Sequence, residues 1–170
     1  MESGRRREME IREFLASPPF NRRNVNDNEV KLFSIALTHD SYSNEKASLD
    51  ENLESYERLE FLGDAVMELV VCEHIYSNTE LSEGAMTDFK KDVVCNKNIS
   101  SRVLEAGPDI DSVLLVGEGH KEKRTGGNII EENMRADAFE AVIGAVYLLY
   151  GMDEAKRIVK EVFLDRGGTE

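Results

Sequence analysis

The chain is poor in several residue types and in positive charge. It has 170 residues with no Trp, 2 Cys and 3 Pro, and its 21 Lys and Arg are outnumbered by 34 Asp and Glu, which gives a formal net charge of −13. Cys72 and Cys95 have neither metal-ligand spacing nor a disulfide framework, so we expect them to be reduced and to act as small hydrophobic residues. The acidic excess excludes a protein that binds nucleic acid mainly through bulk positive charge.

Long hydrophobic runs are also absent. No apolar stretch approaches the ~20 residues needed to span a bilayer, and residues 1–13 lack the apolar segment of a secretory signal. The sequence therefore predicts a cytoplasmic protein with no membrane partner. A hydrophobic fraction of 41% is typical of a chain that folds, and the length fits one domain.

Hydrophobic periodicity predicts helices along almost the whole chain. The longest predicted helices cover 53–76 and 129–150; shorter ones cover 7–16, a stripe from 30 through 42, 81–94, 99–106, and 153–164 with Asp153 as its cap. Only 112–116 could form a short strand, and the glycine-rich basic stretch 117–128 predicts a mobile loop. We therefore expect an all-α fold, a single helical domain with two long central helices.

The two long helices carry acids at helical spacing. Glu57, Glu60 and Asp64 fall within an arc of about 60°, because residues i, i+3 and i+7 share a helix face. Asp137 and Glu140 are also i, i+3, and their neighbours are small or apolar, an environment in which an unpaired carboxylate is costly. If the two faces oppose each other, four acids form an all-oxygen cluster that suits Mg²⁺ or Mn²⁺ better than Zn²⁺. That cluster comprises Glu60, Asp64, Asp137 and Glu140.

Spacing alone leaves a second interpretation open, since clustered acids on a helix also mark a solvated face, and Glu68 extends the first cluster by a turn. Other metal chemistries find no support. The three histidines lack the Glu-x-x-His pairs of di-iron helical bundles, and there is no His-Glu-x-x-His zinc motif. No nucleophilic triad is visible, and His39 is better explained as a hydrogen-bonding residue near a helix end.

The sequence ERLEFLGDAV at 57–66 resembles the signature helix of the ribonuclease III family. Three further segments follow the order found in that family: LTHDSY at 37–42, NKNIS at 96–100 and ADAFEA at 136–141. The resemblance implies a catalytic domain over 29–166, with 1–28 as an N-terminal helix and polar connector of the same domain and 167–170 as a tail. The double-stranded-RNA-binding domain that follows in most bacterial relatives is expected to be absent.

The resemblance assigns roles to individual residues. The same four acids correspond to the divalent-metal ligands of the family, with Glu140 and Asp64 indispensable and with Mg²⁺ as cofactor and Mn²⁺ as substitute. Glu57 would lie close to the scissile strand and the subunit boundary. Phe61 would be an aromatic knob that enters a cavity of the partner subunit, and Glu83 would reach the neighbouring subunit's site.

The implied activity is endonucleolytic hydrolysis of double-stranded RNA, in RNA processing, to give 5′-phosphate and 3′-hydroxyl ends with short 3′ overhangs. A homodimer formed through the signature helix would make the staggered cuts. Two alternatives stay open: a catalytically inactive dimer of the same fold that binds structured RNA as a scaffold, and a helical di-metal redox protein, which the missing Glu-x-x-His pairs disfavour. Local basic residues must contact the RNA, and the candidates are Lys90, Lys91, Lys97, Lys121, Lys123 and Arg124.

Overall fold

The computed structural model describes residues 2–47, 53–123 and 125–164. Over these ranges the chain forms eight α-helices and no β-strand, so the expected all-α fold is confirmed. A 3₁₀ turn, Glu118–His120, precedes the seventh helix, and a π-helical turn, Lys160–Leu164, continues the eighth. The helices are α1 (Glu2–Ala16), α2 (Asp27–Ala36), α3 (Asp40–Ala47), α4 (Glu57–Asn78), α5 (Glu83–Val93), α6 (Asn96–Ala106), α7 (Glu132–Tyr150) and α8 (Met152–Val159).

Helix α7 is the centre of the fold. It packs against α2, α4, α6 and α8, and from Met134 to Val146 every residue except Asp137 is buried. A helix that is apolar on all sides belongs in the interior, because solvent exposure of any face would leave hydrophobic surface in water. The charged exceptions in this otherwise apolar segment are the half-buried Asp137 and the buried Arg135 and Glu140.

Two glycines bring α4 and α7 into backbone contact. A Cβ built on Gly63 of α4 would overlap the carbonyl oxygen of Glu140, and a Cβ built on Gly144 of α7 would overlap the carbonyl oxygen of Leu59. Glycine allows such an approach because its Cα carries no side chain. The close crossing places the acids of α4 beside those of α7.

Helix α1 begins at Glu2, earlier than the predicted 7–16 segment. Its first turns carry few apolar residues, but Arg6 pairs with Glu10 at 3.0 Å, and Arg12 pairs with Glu8 at 2.8 Å. Ion pairs at i, i+4 support an exposed helix where a hydrophobic stripe is missing. The helix joins the main core through Ile11, Phe14 and Leu15.

The predicted stripe from 30 through 42 is wrong as a single helix. Asn26 and Glu29 form a capping box that starts α2, and the helix ends at Ala36. The next residues leave the helix because their backbone bonds elsewhere: His39 N donates to Leu115 O at 2.9 Å, and Leu115 N donates to Leu37 O at 3.0 Å. These bonds give one isolated bridge between Thr38 and Leu115, so the short candidate strand at 112–116 amounts to a single bridge.

The loop predicted at 117–128 has internal order in the part that the structure describes. Glu122 N donates to Gly127 O at 2.8 Å, and Gly126 N donates to Glu122 O at 2.8 Å. An isolated bridge between Lys121 and Asn128 closes the turn. The loop therefore returns on itself before α7 begins.

Other expectations fail at single residues. Asp153 does not cap α8, which begins after Gly151 at φ 84°, a conformation that favours glycine. Cys72 and Cys95 are both free, as expected for reduced cysteines, and both lie at the surface and not in the core. Cys72 directly follows the buried Val71, and the 100° turn between neighbours carries it to the outer face. In the ranges described above, no helix is long and apolar enough to cross a bilayer.

Candidate metal centre

Three carboxylates meet where α4 crosses α7. One oxygen from each of Glu60, Asp137 and Glu140 can be chosen so that all three lie within 4.8 Å of one another. Glu140 is buried, and the other two are half-buried. The group thus combines acids from two stretches of chain that are distant in sequence.

Burial and mutual repulsion raise the pKa of these acids. Burial raises the pKa of Glu140 to about 8, with further contributions from the charges of Asp64, Asp137 and Glu60. Burial raises the pKa of Glu60 to about 7, again helped by neighbouring carboxylates, Asp137 first. Closely spaced anions in a poorly solvated place favour their protonated forms unless a cation is present.

Asp137 has neutral donors beside it. Burial raises its pKa, while hydrogen bonds from Asn96 and Tyr56 oppose the shift by favouring the charged form. Tyr56 is buried and immediately precedes α4, and Asn96 is the first residue of α6. Sequence reasoning assigned no role to either residue, although Asn96 opens the NKNIS segment.

Asp64 lies one turn beyond Glu60 on α4, is exposed, and falls outside the group of three. Its charge still contributes to the raised pKa of Glu140. Burial and the neighbouring Glu68 raise the pKa of Asp64 itself, and Lys90 opposes this shift. Of the four acids selected from spacing, the structure therefore brings three together and leaves Asp64 at the edge.

Glu57 and Glu83 lie at the starts of their helices. Glu57 is exposed at the first turn of α4, accepts a hydrogen bond from the Ser55 hydroxyl at 2.8 Å, and raises the pKa of Glu60. Glu83 is exposed at the start of α5, where the Thr87 hydroxyl donates to it at 3.2 Å. Neither acid belongs to the group of three carboxylates.

An apolar stripe runs along the outer face of α4. Phe61 is 82% exposed, Leu69 55% and Tyr76 78%. Together with Ala65 and Cys72 these residues fall within an arc of about 80°, because each step along the stripe is three or four residues. A groove of about 320 Å³ between α4 and α5 adjoins the stripe, lined by Cys72, Ile75, Tyr76, Glu83, Met86, Thr87 and Lys90.

The basic candidates are dispersed, and several are paired. Lys90 binds Glu68 at 2.8 Å, and Lys121 pairs with Glu118. Lys91 on α5 lies 3.9 Å from Asp88. Lys97 on α6 and Lys123 in the loop are exposed, and Arg124 lies outside the described residues. The loop contacts His39 through His120, whose rings lie 5.4 Å apart, and the His39 ring lies 5.4 Å from that of Tyr56.

A family profile described as Ribonuclease-III-like matches residues 29–166. The chain therefore belongs to the ribonuclease-III-like family, as its signature segments predicted. It is 35% identical over 145 residues to Ribonuclease 3 of Aster yellows witches'-broom phytoplasma, an alignment covering 85% of this chain and 57% of that protein. It is 41% identical over 138 residues to Ribonuclease 3 of Pelotomaculum thermopropionicum, covering 79% of this chain and 54% of that protein.

Solved structures agree on the fold. A nuclease domain of ribonuclease III from Campylobacter jejuni superposes with a TM-score of 0.64 at 29% identity, covering 82% of this chain and 91% of that one. A second structure of that domain shares the fold at 24% identity with a TM-score of 0.65, over 95% of this chain and 97% of its own. The chain spans a little over half the length of the curated relatives described above.

Proposed function

We propose that this protein is an endoribonuclease that hydrolyses phosphodiester bonds of double-stranded RNA with a divalent cation. One observation carries the proposal: Glu60, Asp137 and Glu140 converge within 4.8 Å in a chain of the ribonuclease-III-like family. The products would be 5′-phosphate and 3′-hydroxyl ends with short 3′ overhangs, formed during RNA processing in the cytoplasm.

The donor set fits a hard cation. Among the described residues the group contains carboxylates and neither His nor Cys, and Mg²⁺ and Mn²⁺ take oxygen ligands, whereas Zn²⁺ favours nitrogen and sulfur. We propose Mg²⁺ as the cofactor, with Mn²⁺ as a substitute. When bound, such a cation activates water and stabilises the negative charge that develops on the phosphate and the leaving oxygen.

The chain's own residues hold and tune this centre. Glu60, Asp137 and Glu140 are the proposed ligands, and the burial of Glu140 keeps water from part of the site. Asp64 and Glu57 extend the negative field from either side, as their effects on Glu140 and Glu60 indicate. We propose that Asp64 joins the ligands when substrate binds and that Glu57 lies close to the RNA strand that is cut.

We also propose that the active form is a homodimer built on the outer face of α4. A contiguous exposed apolar stripe on a soluble domain indicates an interaction surface. The stripe contains Phe61, and the apolar groove between α4 and α5 adjoins it. Two-fold symmetry would let Phe61 of each copy enter the groove of the other. The same arrangement would bring the exposed Glu83, at the rim of that groove, towards the neighbouring site.

Contact with RNA would depend on local cations, because the chain as a whole carries a formal charge of −13. Lys97 and Lys123 are exposed, while Lys90 and Lys121 have acidic partners that RNA would have to displace. We propose Lys97 and Lys123 as the stronger contacts, with Lys91 and Arg124 as further candidates. Recognition would follow duplex shape and 2′-hydroxyls, with little reading of bases.

The test incubates long duplex RNA with the protein in Mg²⁺ or in EDTA. We expect cleavage in Mg²⁺ and none in EDTA. We expect Glu140→Gln to lower the rate by more than about 100-fold, because substituting even a residue that only hydrogen-bonds to a metal ligand lowers metal affinity or activity 10- to 100-fold. The control is Glu132→Gln, an exposed acid on the same helix that should keep full activity. Cleavage that survives Glu140→Gln would remove the proposed site.

Binding of duplex RNA without any cleavage in Mg²⁺ would instead favour the non-catalytic scaffold. Product ends give a second readout. Digestion by a 5′-phosphate-dependent exonuclease would detect 5′-phosphate ends. Sizing of the annealed fragments would distinguish staggered cuts from blunt or random breaks.

A further inference from the structure

Asn96 links α6 to the acidic centre. Its side-chain Nδ2 lies 3.3 Å from Asp137 Oδ1 and 3.3 Å from Asn133 Oδ1. A carboxylate can only accept hydrogen bonds, so the amide nitrogen, and not the amide oxygen, must face Asp137. The two N–H groups of one amide are therefore divided between the acid and Asn133, which fixes the orientation of the amide.

The helix that carries Asn96 is itself held in register against α7. Arg135 Nη1 donates to Ser100 Oγ at 2.8 Å, and Arg135 Nε and Nη2 donate to Asp111 at 2.7 Å and 2.5 Å. Ser100 lies one turn beyond Asn96 on α6, and Arg135 precedes Asp137 by two residues on α7. Arg135 and Ser100 are both buried, so this connection is shielded from water.

Asp137 differs from the other two acids in its partners. In the described part of the chain, no side-chain donor bonds to Glu60 or Glu140, whereas Asp137 accepts a hydrogen bond from the Asn96 amide. A carboxylate held by fixed donors cannot rotate freely away from its neighbours. Such outer partners orient metal-binding side chains and are a large part of metal affinity.

We propose that Asn96 is a positioning residue of the metal centre: its amide holds the Asp137 carboxylate in the orientation that meets Glu60 and Glu140. This inference rests on the proposed function, because it concerns the same site. The alternative is that the Asn96 bond merely joins two helices. The two roles differ in what they change, since a joint between helices affects stability, whereas a positioning role affects the affinity for the cation.

The test measures cation binding without RNA. Mn²⁺ binding by electron paramagnetic resonance, and the Mg²⁺ concentration that gives half the maximal thermal shift, are compared for the full chain, Asn96→Ala and Asn98→Ala. Asn98 is the matched control, because it is an exposed Asn on the same helix whose amide donates to the Asp92 carbonyl and not to the acids. We expect Asn96→Ala to weaken binding by 10- to 100-fold and Asn98→Ala to change it less than twofold.

A second variant keeps the test valid if Asn96→Ala fails to fold. Asn96→Leu keeps a side chain of similar size but has neither a donor nor a charge, and we expect it to weaken cation binding at least tenfold as well. Cleavage of duplex RNA by either variant should recover at high Mg²⁺, with the KM for RNA unchanged. Equal cation midpoints for Asn96→Ala and Asn98→Ala, even with a lower melting temperature for the first, would overturn the proposal.

The cation readout separates this inference from the proposed function. If the wild-type chain binds Mn²⁺ and Asn96→Ala binds it weakly, yet no RNA is cut, the nuclease proposal fails and the role of Asn96 is supported. If RNA is cut but the cation midpoint of Asn96→Ala is normal, the role of Asn96 fails alone. A wild-type chain that binds neither ion would overturn both.

Discussion

The Cα of Gly63 on α4 lies directly against the backbone carbonyl of Glu140 on α7. A methyl group at position 63 would overlap that oxygen and come within 2.9 Å of Gly144 N. Backbone atoms cannot move aside as a flexible side chain can, so the two helices would have to separate. The carboxylates of Glu60 and Glu140 would separate with them.

We therefore expect Gly63→Ala to lower the free energy of unfolding by roughly 1–3 kcal/mol, the usual cost of overpacking, and to weaken the Mg²⁺-induced thermal shift. The control is Gly84→Ala on α5, where a Cβ meets nothing within 4 Å. There Ala should stabilise the helix by about 0.5–1 kcal/mol. Denaturant unfolding measures both, and a Gly63→Ala protein as stable as wild type would contradict the close crossing.

The metal-free protein should lose stability as the pH rises. Glu140 and Glu60 have pKa values of about 8 and about 7, above the ordinary 4.5, so the folded chain binds their protons more tightly than the unfolded chain. This contribution to stability is complete below pH 4.5 and is lost as the pH rises through 7 and 8. In EDTA we expect the melting temperature to fall between pH 5.5 and pH 8.5.

Two changes should reduce the dependence of the melting temperature on pH. Saturating Mg²⁺ should raise the melting temperature most at pH 8.5, because it replaces the lost protons. Glu140→Gln removes the buried charge and should lessen the dependence even in EDTA. A melting temperature that stays constant over this range in EDTA would mean that the three acids do not interact as the structure indicates.

Because Asp64 lies at the edge of the group of three, we expect its substitution to affect Mg²⁺ binding and RNA cleavage to different extents. Asp64 is exposed and outside the group of three, so Asp64→Asn should weaken Mg²⁺ binding less than Glu140→Gln does. If Asp64 joins the site only with substrate, the same change should still lower the rate of RNA cleavage strongly. Calorimetric titration of Mg²⁺ and single-turnover cleavage measure the two effects. Equal losses of Mg²⁺ affinity in both variants would place Asp64 among the resting ligands.

Phe61→Ala should weaken self-association. Phe61 is 82% exposed, so it can contribute binding energy only when a partner buries it. Truncating an aromatic hot-spot residue at the centre of an interface costs about 2 kcal/mol or more, which is about 30-fold in dissociation constant. Sedimentation over a concentration series measures the change. Met9→Ala is the control, because Met9 is 61% exposed but lies on α1, away from the stripe. A chain that is monomeric before any substitution would disprove the dimer.

RNA binding should be weak and strongly dependent on salt. With a net charge of −13, attraction for phosphates comes only from local cations, which salt screens. Affinity for a duplex in Ca²⁺, measured by anisotropy, should fall steeply between low and moderate salt, and Lys97→Gln should lower both the affinity and the slope. An affinity that barely changes with salt would point to contacts other than phosphate.

Local pattern predicted most of the helices and selected four acids, of which the structure brings three together, because helices and acid spacing both follow the 3.6-residue period. Long-range contacts explain what it missed. The chain leaves the helix after Ala36 because the Leu37 carbonyl and the His39 N–H bond to Leu115, and Asn96 reaches Asp137, 41 positions away in the chain. The neighbouring sequence does not indicate either of these long-range contacts. Gly63 and Gly144 gave a weak signal, since each is a small residue within an apolar helix.

Helix α7 holds two of the three converging acids and is also enclosed on nearly every side. Inserting or deleting one residue between Asp137 and Gly144 would turn one end of the helix by about 100° relative to the other. The acidic side chains would then point into the apolar core, and aliphatic side chains would face the proposed cation site. Insertions or deletions in this helix should therefore abolish both folding and cation binding. Engineering and natural divergence in this segment should proceed by substitutions.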